Sequence, residues 1–536
     1  MATDGRHYLP TLDPDTERRV ALLGLAGVVA ALVFLPVVWL LLDALSVPFD
    51  RVVTILTGSR TVQVLLNSLA LVTTVTIATI LLGVPLALLT VRTDLPFHRA
   101  FTVAVALPLV VPSYIGAFAF ASAFGPGGLL THMLAPFGIE TIPALSGFWG
   151  TTVVLTLFTY PYVFITTRAS LLAFDTTLVD AARTLNHSRR HAFRRVTLPQ
   201  IAPGIAAGAL LVALYTLSDF GTPAIMRFDV FTRVIYVWSG AAQQDVATLL
   251  SLVLVGVTVL IIAAESRLAT GDADGYAGGP GRGSRYRLGR WRWVAAGVTA
   301  LVASVALLLP VAILVLWLFQ EGPAYAAGGF DFEWRYALNS VYVSLLAAGV
   351  AVLASLPVGY LSARHPTRVA RVFDRATYVG YAVPGVVIGL ALVSFSLDVA
   401  PWLYRTIPVL VFAYVVRFVP QAVGATRASV LQVDRGLLEA ARTLGRPPTA
   451  AFRRVVLPLI APGLSAGAAL VFLTTMKELP ATLLLAPPGY DTIVTFIWRV
   501  RAAGYYGEAA VPALLLVLLS AASMAVILRR GETDAR

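Results

Sequence analysis

The sequence predicts an all-α membrane protein with about twelve transmembrane helices in two homologous halves of six. Three observations support this prediction. Of the 536 residues, 58% are hydrophobic and 13% are charged, and the mean hydropathy is +0.81. Apolar stretches of roughly 20 residues, the length that spans a bilayer, recur along the chain. A polar, arginine-rich segment occurs twice at a fixed spacing, which indicates an internal duplication.

The composition limits the class of protein. A soluble protein carries about 25% charged residues, twice the fraction found here. Apolar stretches in lipid form helices, because every backbone polar group needs an internal partner there. The absence of cysteine excludes disulfides, thiolate metal sites and cysteine nucleophiles. The apolar stretch 20–45 is too long for the core of a signal peptide, so we interpret it as a retained first span.

Basic residues predict the orientation of the spans. Placing the N-terminus in the cytoplasm puts 30 of the 40 Lys and Arg residues on the cytoplasmic side, as the positive-inside rule requires. We therefore expect a multi-pass protein of the plasma (inner) membrane, in contact with lipid and with both termini cytoplasmic. This distribution of the net charge of +12 argues against a nucleic-acid partner. The predicted spans are 20–45, 61–90, 101–121, 148–168, 202–220, 246–265, 293–318, 338–362, 375–397, 406–426, 460–480 and 507–528.

The segment 267–292 is rich in Gly, Asp and Arg and predicts a cytoplasmic linker. It divides the chain into a first transmembrane domain, 1–266, and a second, 293–536. Parallel repeats of this kind let one chain surround a substrate path on a pseudo-two-fold axis. Outside the polar repeat, the halves match at Asn67-Ser68 with Asn339-Ser340 and at Pro112 with Pro384.

The repeated polar segments are 178–203 and 437–462. Between 180–203 and 439–462, 15 of 24 positions are identical. Each copy predicts a helix with an acid and two alanines, a Gly or Asn stop, and a second turn with a phenylalanine. Such a surface suits a docking partner, because small alanines allow close approach and an aromatic ring can fill a pocket. The predicted docking residues are Asp180, Ala181, Ala182, Asn186 and Phe193, and Glu439, Ala440, Ala441, Gly445 and Phe452.

This pattern resembles the EAA motif of permeases in binding-protein-dependent ABC importers, here as Asp180-Ala-Ala and Glu439-Ala-Ala. Two copies look like a fused permease with a type I importer-like fold. The resemblance implies that both segments are coupling helices for two ABC ATPase subunits, and that an extracytoplasmic binding protein delivers the substrate. It also implies that ATP and Mg²⁺ belong to the ATPases and that this chain binds no cofactor.

Further segments resemble ferric-iron permeases: 107–117, 218–223 and 477–485. This resemblance implies ferric iron as the substrate. Related permeases for thiamine, polyamines and aminoethylphosphonate share parts of these segments and remain alternatives.

Five residues are candidates for the pore or gate. Asp219 and Glu478 hold matched places after the docking segments, and Lys477 is the chain's sole lysine. Ionisable groups at such positions usually face a cavity or a partner. The alternative is a local Lys477–Glu478 anchor at the membrane surface. Pro112 and Pro384 interrupt matched apolar stretches and permit a bend, whereas the Gly-x-x-x-Gly pairs, such as Gly204/Gly208 and Gly463/Gly467, indicate close helix packing.

No residue pattern predicts catalysis. A Walker A loop needs Gly-Lys, and Lys477 follows Thr-Thr-Met, so a separate subunit must hydrolyse ATP. His187 and His191 lack a metalloenzyme frame, and we predict no metal site. An ion-coupled secondary transporter and a membrane-embedded enzyme are the rival classes. The first gives the repeated polar segment no role, and the second needs a cluster of His, Asp or Glu that the sequence does not indicate.

Overall fold

The structure is a computed structural model that describes residues 14–125, 128–173, 184, 188–240, 243–269, 286–320 and 331–533. Within these ranges the regular structure is helical, apart from an isolated bridge between Thr93 and Tyr286. The helices of the first half are α1 Pro14–Leu45, α2 Phe49–Thr57, α3 Ser59–Arg92, α4 His98–Ala106, α5 Ser113–Ala123, α6 Leu129–Leu134, α7 Gly147–Ala173, α8 Arg189–Ala192, α9 Leu198–Ser218, α10 Gly221–Ile225, α11 Phe231–Ser239 and α12 Gln244–Ala269.

The helices of the second half are α13 Trp291–Ala303, α14 Leu309–Trp317, α15 Trp334–Arg364, α16 Arg368–Ala382, α17 Gly385–Asp398, α18 Ile407–Gln432, α19 Arg435–Thr443, α20 Pro448–Ala451, α21 Leu457–Met476, α22 Pro480–Leu485, α23 Ile493–Ala503 and α24 Ala510–Thr533. Short 3₁₀ turns cover Leu107–Val110, Ala135–Phe137, Pro401–Leu403 and Gly507–Ala509, and π-helical turns cover Phe193–Thr197, Ser304–Leu308 and Phe452–Val456.

Among the described residues, ten helices are long and apolar enough to cross a membrane. Two bent pairs of helices bring the number of spans to twelve, which confirms the predicted all-α membrane fold. The predicted spans 101–121 and 375–397 correspond to these bent pairs, and the bend that Pro112 and Pro384 permit is present in both. The first is bent by 90° between His98–Val110 and α5, and the second by 99° between α16 and α17.

Both bends lie at the matched prolines. Pro112 directly precedes α5 and Pro384 directly precedes α17, and the valine before each proline has an extended backbone. Proline has no N–H, and its ring moves the preceding residue out of the α-helical conformation. Each span therefore ends at the valine and restarts in a new direction.

The matched Asn-Ser pairs hold α3 and α15 against equivalent segments. Asn67 donates its side-chain N–H to the carbonyl of Asp229 at 2.9 Å, and Asn339 donates to that of Asp491 at 2.8 Å. The serine after each asparagine accepts the N–H at the start of the following helix, α11 or α23. In the second half, Tyr490 adds a bond to the Asn339 carbonyl at 3.1 Å, and burial raises the pKa of Tyr490 to about 12.

The first span of each half, α1 or α13 with α14, packs against the other half. In α1, Trp39 meets the ring of Phe395 edge-on at 5.1 Å and donates to Ser394 at 3.1 Å, both on α17. In α14, the ring of Trp317 lies 5.0 Å from that of Phe118 on α5. Each bent span therefore packs against the first span of the opposite half.

The Gly-x-x-x-Gly pairs lie at close helix contacts. A Cβ atom added to Gly204 would overlap the side chain of Ser170 on α7, and one added to Gly463 would overlap that of Ser429 on α18. Small residues at these points let the helix backbones approach. The structure confirms the packing interpretation of these glycines.

The predicted linker 267–292 falls mainly on residues outside the described ranges. Its final part is described and bonded to the first half. The N–H of Tyr286 donates to the carbonyl of Arg92 at 2.7 Å, and the N–H of Leu288 donates to the carboxylate of Asp94 at 2.8 Å. The chain therefore enters the second half beside the end of α3.

Candidate functional site

The second docking segment forms a short exposed helix, α19. Glu439 and Ala440 are exposed on this helix, and Ala441 is half-buried. Gly445 follows with φ of +78°, and the N–H of Arg446 donates to the carbonyl of Ala441 at 3.2 Å. This bond and the left-handed residue before it form the glycine stop predicted for the helix.

Two further residues of this segment suit a protein partner. Leu437 is 48% exposed and Leu444 is 81% exposed. They lie on or directly after α19, beside the acid and the alanines. Sequence reasoning passed over them because leucines near an amphipathic helix usually point into a core.

Phe452 lies at the start of a π-helical turn, Phe452–Val456, that leads into α21. Its ring is half-buried and meets the ring of Tyr360 edge-on at 5.5 Å. The ring therefore supports the turn from within the chain, and its role as an anchor for a partner stays a prediction. Arg453 and Arg454 beside it are exposed.

Four of the five predicted docking residues of the first segment lie outside the described residues, namely Asp180, Ala181, Ala182 and Asn186. Their docking role stays a prediction. Phe193 is described, half-buried, and begins the π-helical turn Phe193–Thr197. This turn matches the π-helical turn of the second copy in position. Such insertions are rare and often occur at functional sites.

A cavity of about 270 Å³ lies between the two halves. Four of the five pore candidates line it: Pro112, Asp219, Lys477 and Glu478. Pro384 does not line it, although Gly385 next to it abuts the cavity's ion pair. Other polar residues, which the sequence did not single out as pore candidates, also line the cavity. They include Tyr114, Tyr162, Tyr215, Tyr381, Arg417 and Gln421.

Asp219 joins the end of α9 to the bent span of the first half. One carboxylate oxygen accepts the Ser113 hydroxyl at 3.1 Å, and the other accepts the N–H of Thr222 at 3.1 Å. The hydroxyl of Tyr215 donates to Ser113 at 2.9 Å. Ser113 is the first residue of α5, so the acid lies at the positive end of that helix.

Glu478 has the matching place in the second half but a different partner. Its carboxylate accepts the guanidinium of Arg417 at 2.6 Å and the N–H of Ala481 at 3.4 Å. A Cβ atom added to Gly385, the first residue of α17, would overlap both Arg417 and Glu478. The ion pair therefore sits against the start of α17, where only glycine leaves room for it.

Lys477 reaches across to the first half. Its ammonium group donates to the carbonyl of Leu109 at 2.9 Å, just before the bend at Pro112. The alternative of a local Lys477–Glu478 anchor is wrong, because Glu478 pairs with Arg417 and Lys477 binds the other half. Lys477 and Glu478 are adjacent in sequence, but they bind different neighbours.

Arg417 is the functional candidate that sequence reasoning missed. It lies in α18, inside the predicted span 406–426, and its side chain is 13% exposed. A charged residue within a membrane span is rare and usually faces a cavity or a paired charge. That rule applied to the span would have found Arg417 without the structure.

The sequence matches a known family in both halves. The profile of the binding-protein-dependent transport system inner membrane component matches residues 79–269 and 355–530. The chain belongs to this family. It is a fused permease of a binding-protein-dependent ABC importer and an inner membrane protein.

Similar permeases agree with the duplicated organisation. The chain is 32% identical to an Fe(3+)-transport system permease protein of Haemophilus influenzae, over 91% of this permease and 93% of that protein. It is 24% identical to a ferric transport system permease protein of Actinobacillus pleuropneumoniae, over 89% and 72% of the respective chains. A probable molybdenum ABC transporter permease protein of Haloferax volcanii matches 48% of this permease at 28% identity and is covered over 92% of its own length.

Proposed function

We propose that this permease carries ferric iron across the inner membrane, driven by ATP hydrolysis on separate subunits. The observation that carries the assignment is the 32% identity to an Fe(3+)-transport system permease over 91% of the chain. The segments 107–117, 218–223 and 477–485, which resemble ferric permeases, all contribute residues to the central cavity. The segments that resemble ferric permeases therefore lie in the same part of the molecule as the cavity.

The permease would work with partners on both faces. Two ATPase subunits dock on the segments 178–203 and 437–462, and ATP and Mg²⁺ bind to those subunits. An extracytoplasmic binding protein delivers the substrate to the opposite face. Closure of the ATPases moves the docking segments, and α9 and α21 carry this movement to Asp219 and Glu478 beside the bent spans. Such a switch needs two discrete packings of the same helices.

Uptake of radioactive ferric iron by iron-starved cells tests the substrate. We expect deletion of the gene to reduce uptake and restoration to recover it, in a strain without another ferric importer. Thiamine, a polyamine and aminoethylphosphonate serve as parallel substrates. Unchanged ferric uptake with reduced uptake of one of these would reject iron and reassign the importer.

A further inference from the structure

The helix α16, the first arm of the bent span in the second half, presents three different sides. One side is buried and carries Ala370, Asp374 and Thr377, at spacings of four and three residues. These spacings place the three residues on one stripe of a helix. The stripe packs against α1 and α18. The rest of the helix circumference is therefore left to the surroundings of the protein.

The second side of α16 is basic. Arg368, Arg371 and Arg375 are all exposed, and their spacings of three and four residues put them on one stripe. Within the described part of the chain, none of the three forms an ion pair with an acid. Asp374 lies on the buried side and accepts the guanidinium of Arg427 at 3.2 Å. The basic side therefore presents three guanidinium groups to an external partner.

The third side of α16 is apolar and also exposed. Val369 is 50% exposed and Val372 is 62% exposed. Each valine directly follows an arginine of the basic side, so it lies about 100° around the helix from that arginine. A helix with one apolar side and one basic side fits the boundary between acyl chains and headgroups. The valines would otherwise face water.

The start of α16 lies on the membrane side that carries the second docking segment. Arg364, the last residue of α15, donates to the carbonyl of Val433 at 2.7 Å, just before α19. The hydroxyl of Thr367 then caps α16 by accepting the N–H of Ala370 at 3.2 Å. From this start, the basic stripe rises only about 10 Å along the helix. Arginine side chains over that depth can reach the headgroup layer.

The first half does not repeat the basic stripe. The offset of 272 between Pro112 and Pro384 pairs the three arginines with Pro96, Arg99 and Val103. Only one of the three positions is therefore basic in the first half. The stripe is a property of the second half alone, and the duplicated fold does not require it.

We propose that the basic side of α16 binds the phosphate group of an anionic phospholipid. Arg368, Arg371 and Arg375 are the headgroup ligands, and Val369 and Val372 contact the upper acyl chains. Guanidinium groups suit this role because they bind phosphate oxygens in pairs. The exposed valines favour lipid over a docked ATPase subunit as the occupant. The site is independent of which substrate the permease carries.

Native mass spectrometry of the purified full-length permease tests the site without any transport. The permease in detergent is titrated with phosphatidylglycerol, and separately with phosphatidylcholine of the same acyl chains, to measure the dissociation constant of the first bound lipid. We expect phosphatidylglycerol to bind about tenfold more tightly, because only its headgroup has a net negative charge. The double variant Arg371→Gln with Arg375→Gln should weaken phosphatidylglycerol binding roughly twentyfold and leave phosphatidylcholine binding unchanged.

Two further double variants complete the test. Lysine at the same two positions keeps the charge and should bind phosphatidylglycerol within about threefold of the unaltered permease. Arg335→Gln with Arg499→Gln removes the same charge from exposed arginines that already pair with acids, and should leave lipid binding unchanged. Equal affinity for the two lipids, or an equal loss in the Arg335 and Arg499 variant, would overturn the site. Unchanged lipid binding with loss of co-purifying ATPase subunits would assign this side of α16 to the ATPase and also overturn it.

Discussion

Arg417 donates a 2.6 Å hydrogen bond to Glu478, and the two charges meet where α18, the end of α21 and the start of α17 come together. The acid follows the span that leads from a docking segment, while α17 is the second arm of a bent span. The ion pair thus connects the element that an ATPase would move with α18, which lines the cavity, and it does so against the start of α17.

Glu478→Gln should reduce transport while the protein still assembles. The amide keeps the size of the side chain but removes its charge, and a buried base that loses its counter-charge costs about 3–5 kcal/mol. We expect uptake to fall by roughly tenfold or more, as each 1.4 kcal/mol lost at the gate is a factor of ten. Glu333→Gln is the control, because Glu333 pairs with Arg335 at an exposed site. Equal uptake by both variants at equal membrane levels would refute the role of Glu478.

Glu439→Lys should uncouple ATP hydrolysis from transport. Glu439 is exposed on α19, where reversal of its charge would repel a basic group on the docked ATPase. We expect ATPase activity of the assembled importer to lose its dependence on substrate, together with loss of uptake. Glu140→Lys, a charge reversal at an exposed position far from the docking segments in sequence, should behave as the unaltered protein. Normal uptake by Glu439→Lys contradicts the coupling role.

Gly208→Ala should destabilise the packing of α9 on α7. A Cβ atom at this position would lie 2.7 Å from the Cα atom of Val163, a backbone contact that cannot rotate away. Overpacking of this kind costs about 1–3 kcal/mol. Gly256→Ala in α12 is the matched control, since nothing lies within 4 Å of the added atom. Thermal unfolding of both variants in detergent checks the prediction, and equal melting temperatures would show that α7 gives way freely.

Asn339→Ala should loosen the second half where α15 holds the segment before α23. The substitution leaves the half-buried carbonyl of Asp491 without its 2.8 Å hydrogen bond, and the loss of such a bond costs about 0.5–1.5 kcal/mol. Asn67→Ala should have a similar effect in the first half. Gln432→Ala, at an exposed helix end, serves as the control. Hydrogen exchange of the α23 backbone measures the change, and protection equal to the control's would disprove the clamp.

The fold was largely predictable because lipid imposes strong rules. A long apolar stretch has no alternative to a helix in a membrane, and the duplication exposed the two halves. The bends at Pro112 and Pro384 were only partly predictable. Proline at matched positions indicated a break, but its angle depends on what packs on the two arms, and no local pattern records that packing.

The cavity residues were also only partly predictable from the sequence. Asp219, Lys477 and Glu478 stood out because ionisable residues are costly near lipid. Their partners did not follow, since Arg417 is 61 residues from Glu478 and Leu109 is 368 residues from Lys477. For Phe452, the motif predicted a contact with a partner. In the structure its ring also packs against Tyr360, a residue on a distant helix of the same chain.

The exchange of first helices has a consequence for how this protein can change over generations. Phe373 packs where Gly27 leaves space, and Trp317 fills a site beside Phe118, so each half contributes part of the other's interior. A substitution on one of these surfaces therefore requires a compensating substitution in the opposite half. The two halves arose as duplicates, but at this seam selection acts on them as a single inherited unit.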